Sequence, residues 1–193
     1  MNASNKYSIF RIILTIIITF ICIFPFYSVG INFPKFNING LVIDSMYFIA
    51  GVIYIFALIT NYLDGSIAKK TKTVTERGKL LDLIANEILV NICLIMFACR
   101  GFISAIVPII YIFVDELIEF FNRDCLKKGY SISIIKTDYI KIYSMMTGTA
   151  LMFFYNLPFE LLNIKLADFI IYFGTIMSVV SVIEYYKLWK KVK

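Results

Sequence analysis

The sequence predicts an all-α integral membrane protein, six transmembrane helices with both termini on the cytoplasmic side. Three observations carry that expectation. The 193 residues are 60% hydrophobic and only 17% charged, against roughly 45–50% and 25% in an ordinary soluble domain. The apolar residues gather in six runs, about 9–29, 41–63, 80–99, 101–122, 139–157 and 166–186, each close to the roughly 20 residues a helix needs to cross a hydrocarbon core. Sixteen of the nineteen Lys and Arg residues fall at the N-terminus, in the loops after the second and fourth runs, or in the tail, which is the bias that short cytoplasmic loops carry.

Taken in order, the first run follows Lys6 and Arg11. It is too long for the apolar core of a signal peptide and lacks a small-residue cleavage site, so it is expected to be a retained helix. The second and third runs flank a loop holding Lys69, Lys70, Lys72, Arg77 and Lys79; the fourth and fifth flank Arg123, Lys127, Lys128, Lys136 and Lys141. Only Lys35, Arg100 and Lys165 remain for the opposite side. Pro108 suggests a kink in the fourth helix. After the sixth, Tyr185, Tyr186 and Trp189 beside Lys187, Lys190 and Lys191 read as an interfacial anchor. The six runs nearly fill residues 1–193, so one domain is expected.

Composition also excludes chemistry. With no histidine anywhere, Ser-His-Asp and Cys-His catalysis, H-E-x-x-H zinc sites and histidine proton relays are ruled out. The four cysteines, Cys22, Cys93, Cys99 and Cys125, show no C-x-x-C spacing and sit mostly in apolar runs, so neither disulfide nor zinc is expected. The net charge of +6 reads as loop bias with attraction to anionic headgroups; nothing points to nucleic acid.

The chemistry-bearing segment is 61–86, N-Y-L-D-G-S-I-A-K-K-T-K-T-V-T-E-R-G-K-L-L-D-L-I-A-N. Asn61 and Asp64 are three apart, Asp82 and Asn86 four apart, so on helices each pair shares a face. Gly65, Ala68 and Gly78 present almost no side chain and would let a polar ligand approach the backbone. Glu87, the next residue, points about 100° away around the helix. Polar groups at the edge of a membrane helix are costly when buried, which favours a functional site; the plainer alternative is that they are loop-edge residues wetted by headgroup water.

That segment resembles the signature of the CDP-alcohol phosphatidyltransferase family, D-x-x-D-G-x-x-A-R, eight residues, G-x-x-x-D-x-x-x-D, with every interval matched. Asn5, Ser8 and Arg11 echo the family's N-terminal P-N-x-[ST]-x-x-R element, with Ser4 in place of the proline. Within the family the chain is most similar, from end to end, to the bacterial phosphatidylglycerophosphate synthases, including the last helix ending V-I-E-Y-Y at 182–186. The resemblance implies a membrane-embedded dimer, a homodimer or a heterodimer with a related synthase, multi-pass in the cell membrane with its active site facing the cytoplasm. It implies transfer of a phosphatidyl group from CDP-diacylglycerol to glycerol-3-phosphate with release of CMP. It also implies a divalent pair, Mg2+ or Mn2+, held by four aspartates, the fourth of which deprotonates the attacking hydroxyl. Hard cations prefer carboxylate oxygen, and a metal pair can stabilise entering and leaving oxygens together.

Carried onto this chain, the metal positions are Asn61, Asp64 and Asp82, the base falls on Asn86, and Asp64, Gly65, Ala68, Lys69 and Gly78 shape the CDP-lipid pocket. Two of the four carboxylates are therefore amides. An amide offers no charge to a metal and cannot take a proton, and a positioned base is worth roughly 10²–10⁴-fold, so the metal site is expected to be weakened and turnover low. Lys69 stands where the family has arginine, keeping the charge and losing the planar fork. For the acceptor, Arg123 and Lys141 are the surviving candidates, while Lys127, Lys128 and Lys136 read as solvated loop. Asp115, Glu116 and Glu119 lie in an apolar run and are expected to face the bundle interior, with Glu119 or Glu116 a speculative replacement for the lost base. Two further readings stand beside the low-activity synthase. One is a disabled homologue that binds or regulates an active partner; the other is the same chemistry on another acceptor, as in cardiolipin formation.

Overall fold

The computed structural model describes residues 3–38, 40–71, 76–130 and 135–192, with all their side chains except those of 3–7, 61–71, 76–80, 83 and 192. The described residues form α1 (Ala3–Ile23), α2 (Ser45–Thr71), α3 (Glu76–Cys99), α4 (Ile106–Lys127), α5 (Lys136–Phe153) and α6 (Leu166–Val192). One helix answers each apolar run. The all-α expectation holds for the bundle, and the loop between α1 and α2 adds a short antiparallel hairpin of β1 (Lys35–Ile38) and β2 (Leu41–Asp44), paired from Lys35 with Asp44 to Ile38 with Leu41. Gly40, at φ +88°, supplies the left-handed backbone that a two-residue hairpin turn requires.

Helix ends explain where the apolar runs and the helices part company. The first run continues past Ile23, but Pro25 cannot extend a helix, and Arg100 Nη2 donates to the Cys22 carbonyl at 2.8 Å, satisfying one of the last-turn acceptors of α1. The second run begins in β2; α2 starts at Ser45 because Asp44 Oδ1 accepts from the Met46 amide at 3.0 Å, an N-cap contact. Pro108 lies in the first turn of α4, which starts at Ile106. There its missing N–H removes no helical bond, so it marks a helix start where a mid-helix kink was expected. Asn156 Oδ1 accepts from the Ala167 amide at 3.0 Å and fixes the start of α6.

α1 packs along α2 and α3, α6 packs along α5 and α4, and contacts of α2 with α5 and of α3 with α4 and α5 join the two halves. Tyr54, Leu89, Phe97, Met145, Phe153 and Ile171 form the fully buried centre. Two glycines permit the close approaches. A Cβ on Gly148 would lie 2.6 Å from Ile171 Cγ1 and 3.2 Å from its backbone nitrogen, and one on Gly51 would lie 2.8 Å from Phe153 Cβ. The outward faces are apolar too, with Ile16, Phe20, Phe56, Phe113, Phe169 and Ile176 all exposed. By length and composition α6 is able to cross a membrane over Leu166–Lys191, while Ser8–Ile23, Ser45–Thr60 and Ile84–Cys99 are shorter apolar helical stretches.

Ion pairs and hydrogen bonds set which helix ends lie together. Arg11 near the start of α1 reaches Asp82 near the start of α3. Thr137 at the start of α5 donates to Glu184 near the end of α6, and Trp189 of α6 donates to Asp124 near the end of α4. This end gathers Arg11, the three carboxylates just named and most of the described basic residues. Of the three aromatic residues of the expected anchor, Tyr186 is exposed, Trp189 is half-buried and held by Asp124, and Tyr185 is buried with its hydroxyl on Asp138.

Candidate functional site

Among the described side chains of α1 the buried ones are Ser8, Arg11, Thr15, Ile18 and Cys22, spaced by three and four so that they form one stripe down the helix. The stripe is polar near the start of the helix and apolar beyond. Thr15 Oγ1 donates to the Arg11 carbonyl at 2.9 Å, turning its hydroxyl back onto the helix and leaving Arg11 as the stripe's only charge. Arg11 is 0% exposed.

The Arg11 guanidinium spans to α3. Nη1 donates to Asp82 Oδ1 at 2.7 Å and to Asn86 Oδ1 at 2.9 Å. One nitrogen can serve both oxygens only because residues four apart on α3 stand one above the other, as their spacing led us to expect. Asp82 keeps about a third of its side-chain surface open, at 34%, so the pair lies at the rim and not in the depth of the bundle. Arg11 Nε and Nη2 are buried and make no hydrogen bond among the described residues.

The remaining donor-side positions, Asn61, Asp64, Gly65, Ala68, Lys69 and Gly78, lie on α2 and the start of α3, and their side chains are outside the described residues. Among the described residues no group of three or more His, Cys, Asp or Glu side chains could hold a metal ion. The described half of the signature offers one carboxylate and one amide oxygen, both engaged by a guanidinium; on its own this set does not fit a divalent pair.

A second polar cluster occupies the other side of α3. Glu87 lies within electrostatic reach of Asp115, Lys141, Glu116 and Glu119, so the turn of about 100° from Asn86 carries it away from Arg11 and toward α4. Lys141 Nζ, 5.5 Å from the centre of the Tyr111 ring, donates to Asp115 Oδ1 at 2.6 Å and lies 4.0 Å from Asp138. Asp138 is buried and accepts from Tyr185 at 2.6 Å, from the Ile135 amide at 3.2 Å and from Ser181. Lys141, an acceptor-binding candidate, is thereby 6% exposed and committed to carboxylates. Arg123 is open, its side chain 69% exposed, and pairs with Glu119 at 2.5 Å one turn back on its own helix.

The expectation that Asp115, Glu116 and Glu119 all face inward is corrected. Asp115 does, whereas Glu116 and Glu119 are exposed. The buried stripe of α4 runs through Val107, Tyr111, Val114, Ile118 and Cys125, and Glu116 is displaced about 200° from Val114 at 100° per residue. Sequence reasoning missed Arg11 as a member of the site. Its one signal was the N-terminal motif, because a contact 71 residues away in sequence leaves no trace in local spacing.

The chain matches the family described as CDP-alcohol phosphatidyltransferase over residues 1–184. It is 26% identical over 193 residues, covering 100% of this chain and 97% of its relative, to a CDP-diacylglycerol–glycerol-3-phosphate 3-phosphatidyltransferase of Bacillus subtilis (strain 168). A protein of the same name from Rickettsia bellii (strain RML369-C) is 24% identical over 145 residues, 74% of this chain and 80% of that one. Another from Mycoplasma genitalium is 35% identical over 71 residues, 37% of this chain and 30% of that one. With nearly its whole length matched, and with its N-terminal element and signature helix in contact through Arg11, this chain belongs to the CDP-alcohol phosphatidyltransferase family.

Proposed function

We propose that the chain transfers a phosphatidyl group from CDP-diacylglycerol to glycerol-3-phosphate, releasing CMP, from the cytoplasmic face of a membrane that its six helices cross. The observation that carries this reading is the contact of Arg11 with Asp82 and Asn86, which joins the N-terminal element and the signature, the two elements most distinctive of the resemblance. The names of the related proteins supply the acceptor. In the reaction the acceptor hydroxyl attacks the phosphatidyl phosphorus, the bond from that phosphorus to the CMP oxygen breaks, and CMP departs with the electron pair.

Asp82 is the carboxylate we assign to the hydroxyl proton, since the Asn86 amide cannot accept one. Asp82 is engaged by the Arg11 guanidinium, and with an amide at Asn86 the signature's last helix has one proton acceptor where the resemblance implies two carboxylates, so slow turnover is expected. Arg123, exposed and held only by a surface pair of the kind worth about 0–1 kcal/mol, is better placed than Lys141 to turn toward an acceptor phosphate. Divalent ions are expected to support the donor diphosphate, with Asp64 as the further carboxylate.

The test is to incubate the purified protein with CDP-diacylglycerol, magnesium and either glycerol-3-phosphate or phosphatidylglycerol, and to identify the lipid formed by mass spectrometry. Phosphatidylglycerophosphate is the expected product. Cardiolipin in its place would reassign the acceptor. CDP-diacylglycerol binding without any lipid product would make the chain a disabled homologue acting through a partner.

A further inference from the structure

Arg11 is more buried and less satisfied than a structural ion pair requires. Its guanidinium carries five N–H donors in a planar fork, of which the described structure uses Nη1, while Nε and Nη2 are buried without a partner among the described residues. A buried unpaired donor on a charged group is costly and calls for an explanation such as a bound anion. The position supplies one. Nε and Nη2 lie within a bond or two of the nitrogen that touches Asp82 and Asn86, the signature residues of α3, and α1 also packs along α2, which carries the other half of that signature.

Charge points the same way. The resemblance implies four carboxylates balancing two divalent ions, and this chain has two, Asp64 and Asp82. A site with half the anionic charge holds less metal, and the donor diphosphate still needs a cation. Arg11 is a permanent one, always protonated, with a fork that matches two phosphate oxygens.

We propose that Arg11 is the resident cation of the donor site, gripping Asp82 and Asn86 through Nη1 and the diphosphate of the cytidine donor through Nε and Nη2, so that binding the donor depends less on divalent ions than four carboxylates would make it. This rests on the transferase reading above and adds to it a binding residue and a reduced metal demand.

The experiment is calorimetric titration of the full chain in nanodiscs with CDP, and separately with cytidine, in EDTA and in excess magnesium. The wild type is expected to bind CDP in EDTA, with magnesium tightening it by less than tenfold. Arg11→Gln should weaken CDP tenfold or more in both conditions and leave cytidine unchanged, because only the diphosphate touches the guanidinium. Arg11→Lys, which keeps the charge without the fork, should fall between them and decides the question alone if the glutamine variant does not fold. CDP affinity indifferent to either substitution, equal losses of CDP and cytidine, or wild-type binding of CDP only with magnesium would each overturn the inference while leaving the transferase reading standing. No CDP binding by the wild type in either condition would sink both.

Discussion

Asp82 and Lys141 illustrate two uses of a charge in one bundle. Asp82 is at the rim, a third exposed and held by Arg11, where a carboxylate can still meet substrate. Asp82→Asn is expected to reduce turnover by roughly 10²–10⁴-fold, the usual worth of a positioned proton acceptor, and to lower the melting temperature as well, because it leaves the buried Arg11 guanidinium without its carboxylate; steady-state CMP release and thermal unfolding check the two halves. Lys141 and Asp115 are buried together, at 6% and 11% side-chain exposure. Removing one partner of such a pair leaves an uncompensated charge and costs about 3–5 kcal/mol, whereas replacing both with apolar residues is often neutral. Lys141→Met should therefore lower the unfolding temperature sharply, and adding Asp115→Leu should recover most of the loss. The facing of Asp82 and Asn86, and of Glu87 away from them, was legible from spacing, since helical geometry is local. Lys141 was legible as a basic loop-edge residue and, through the resemblance, as an acceptor candidate, but its burial was not, because that depends on Asp115 lying 26 residues away.

Among the elements, α5 and α6 approach through Gly148, where a methyl would meet Ile171 at 2.6 Å with helix backbone behind it. Gly148→Ala is expected to destabilise by about 1–3 kcal/mol, the usual cost of overpacking, as read by thermal unfolding. The α4–α6 junction packs Val114, Ile118 and Phe121 against Tyr185 and Trp189 and also includes Asp124, whose carboxyl is held below its ordinary value, chiefly by the hydrogen bond from Trp189 Nε1 and next by Lys128. A carboxylate depressed by folding stabilises above its unfolded pKa, about 3.9, and loses that contribution as pH falls through the folded value. Trp189 is the only tryptophan, so its fluorescence should change on acidification below about pH 4, and Asp124→Asn should remove that step. Helix number and order were legible at this scale because each apolar run is long. The hairpin was legible in principle, since Asn39-Gly40 between apolar residues is a turn signal, but the apolar run from 41 onward masked it. The start of α2 was lost for the same reason, because Asp44 acts through a cap and hydropathy does not register caps.

For the whole molecule, most of the described basic residues collect at one helix end and apolar side chains cover the flanks. If that end is cytoplasmic, Cys99, the exposed thiol at the far end of α3, faces outward. A membrane-impermeant maleimide added to intact cells should label Cys99, and labelling that requires permeabilised cells would reverse the orientation. On the function proposed above, this chain, with amides at 61 and 86, performs phosphatidyl transfer through Asp82. Magnesium-supported CMP release from CDP-diacylglycerol and glycerol-3-phosphate, compared between the wild type and Asp82→Ala, tests it most directly. Slow release by the wild type that the alanine variant abolishes is the expected result; no release by the wild type, or equal release by both, would contradict it.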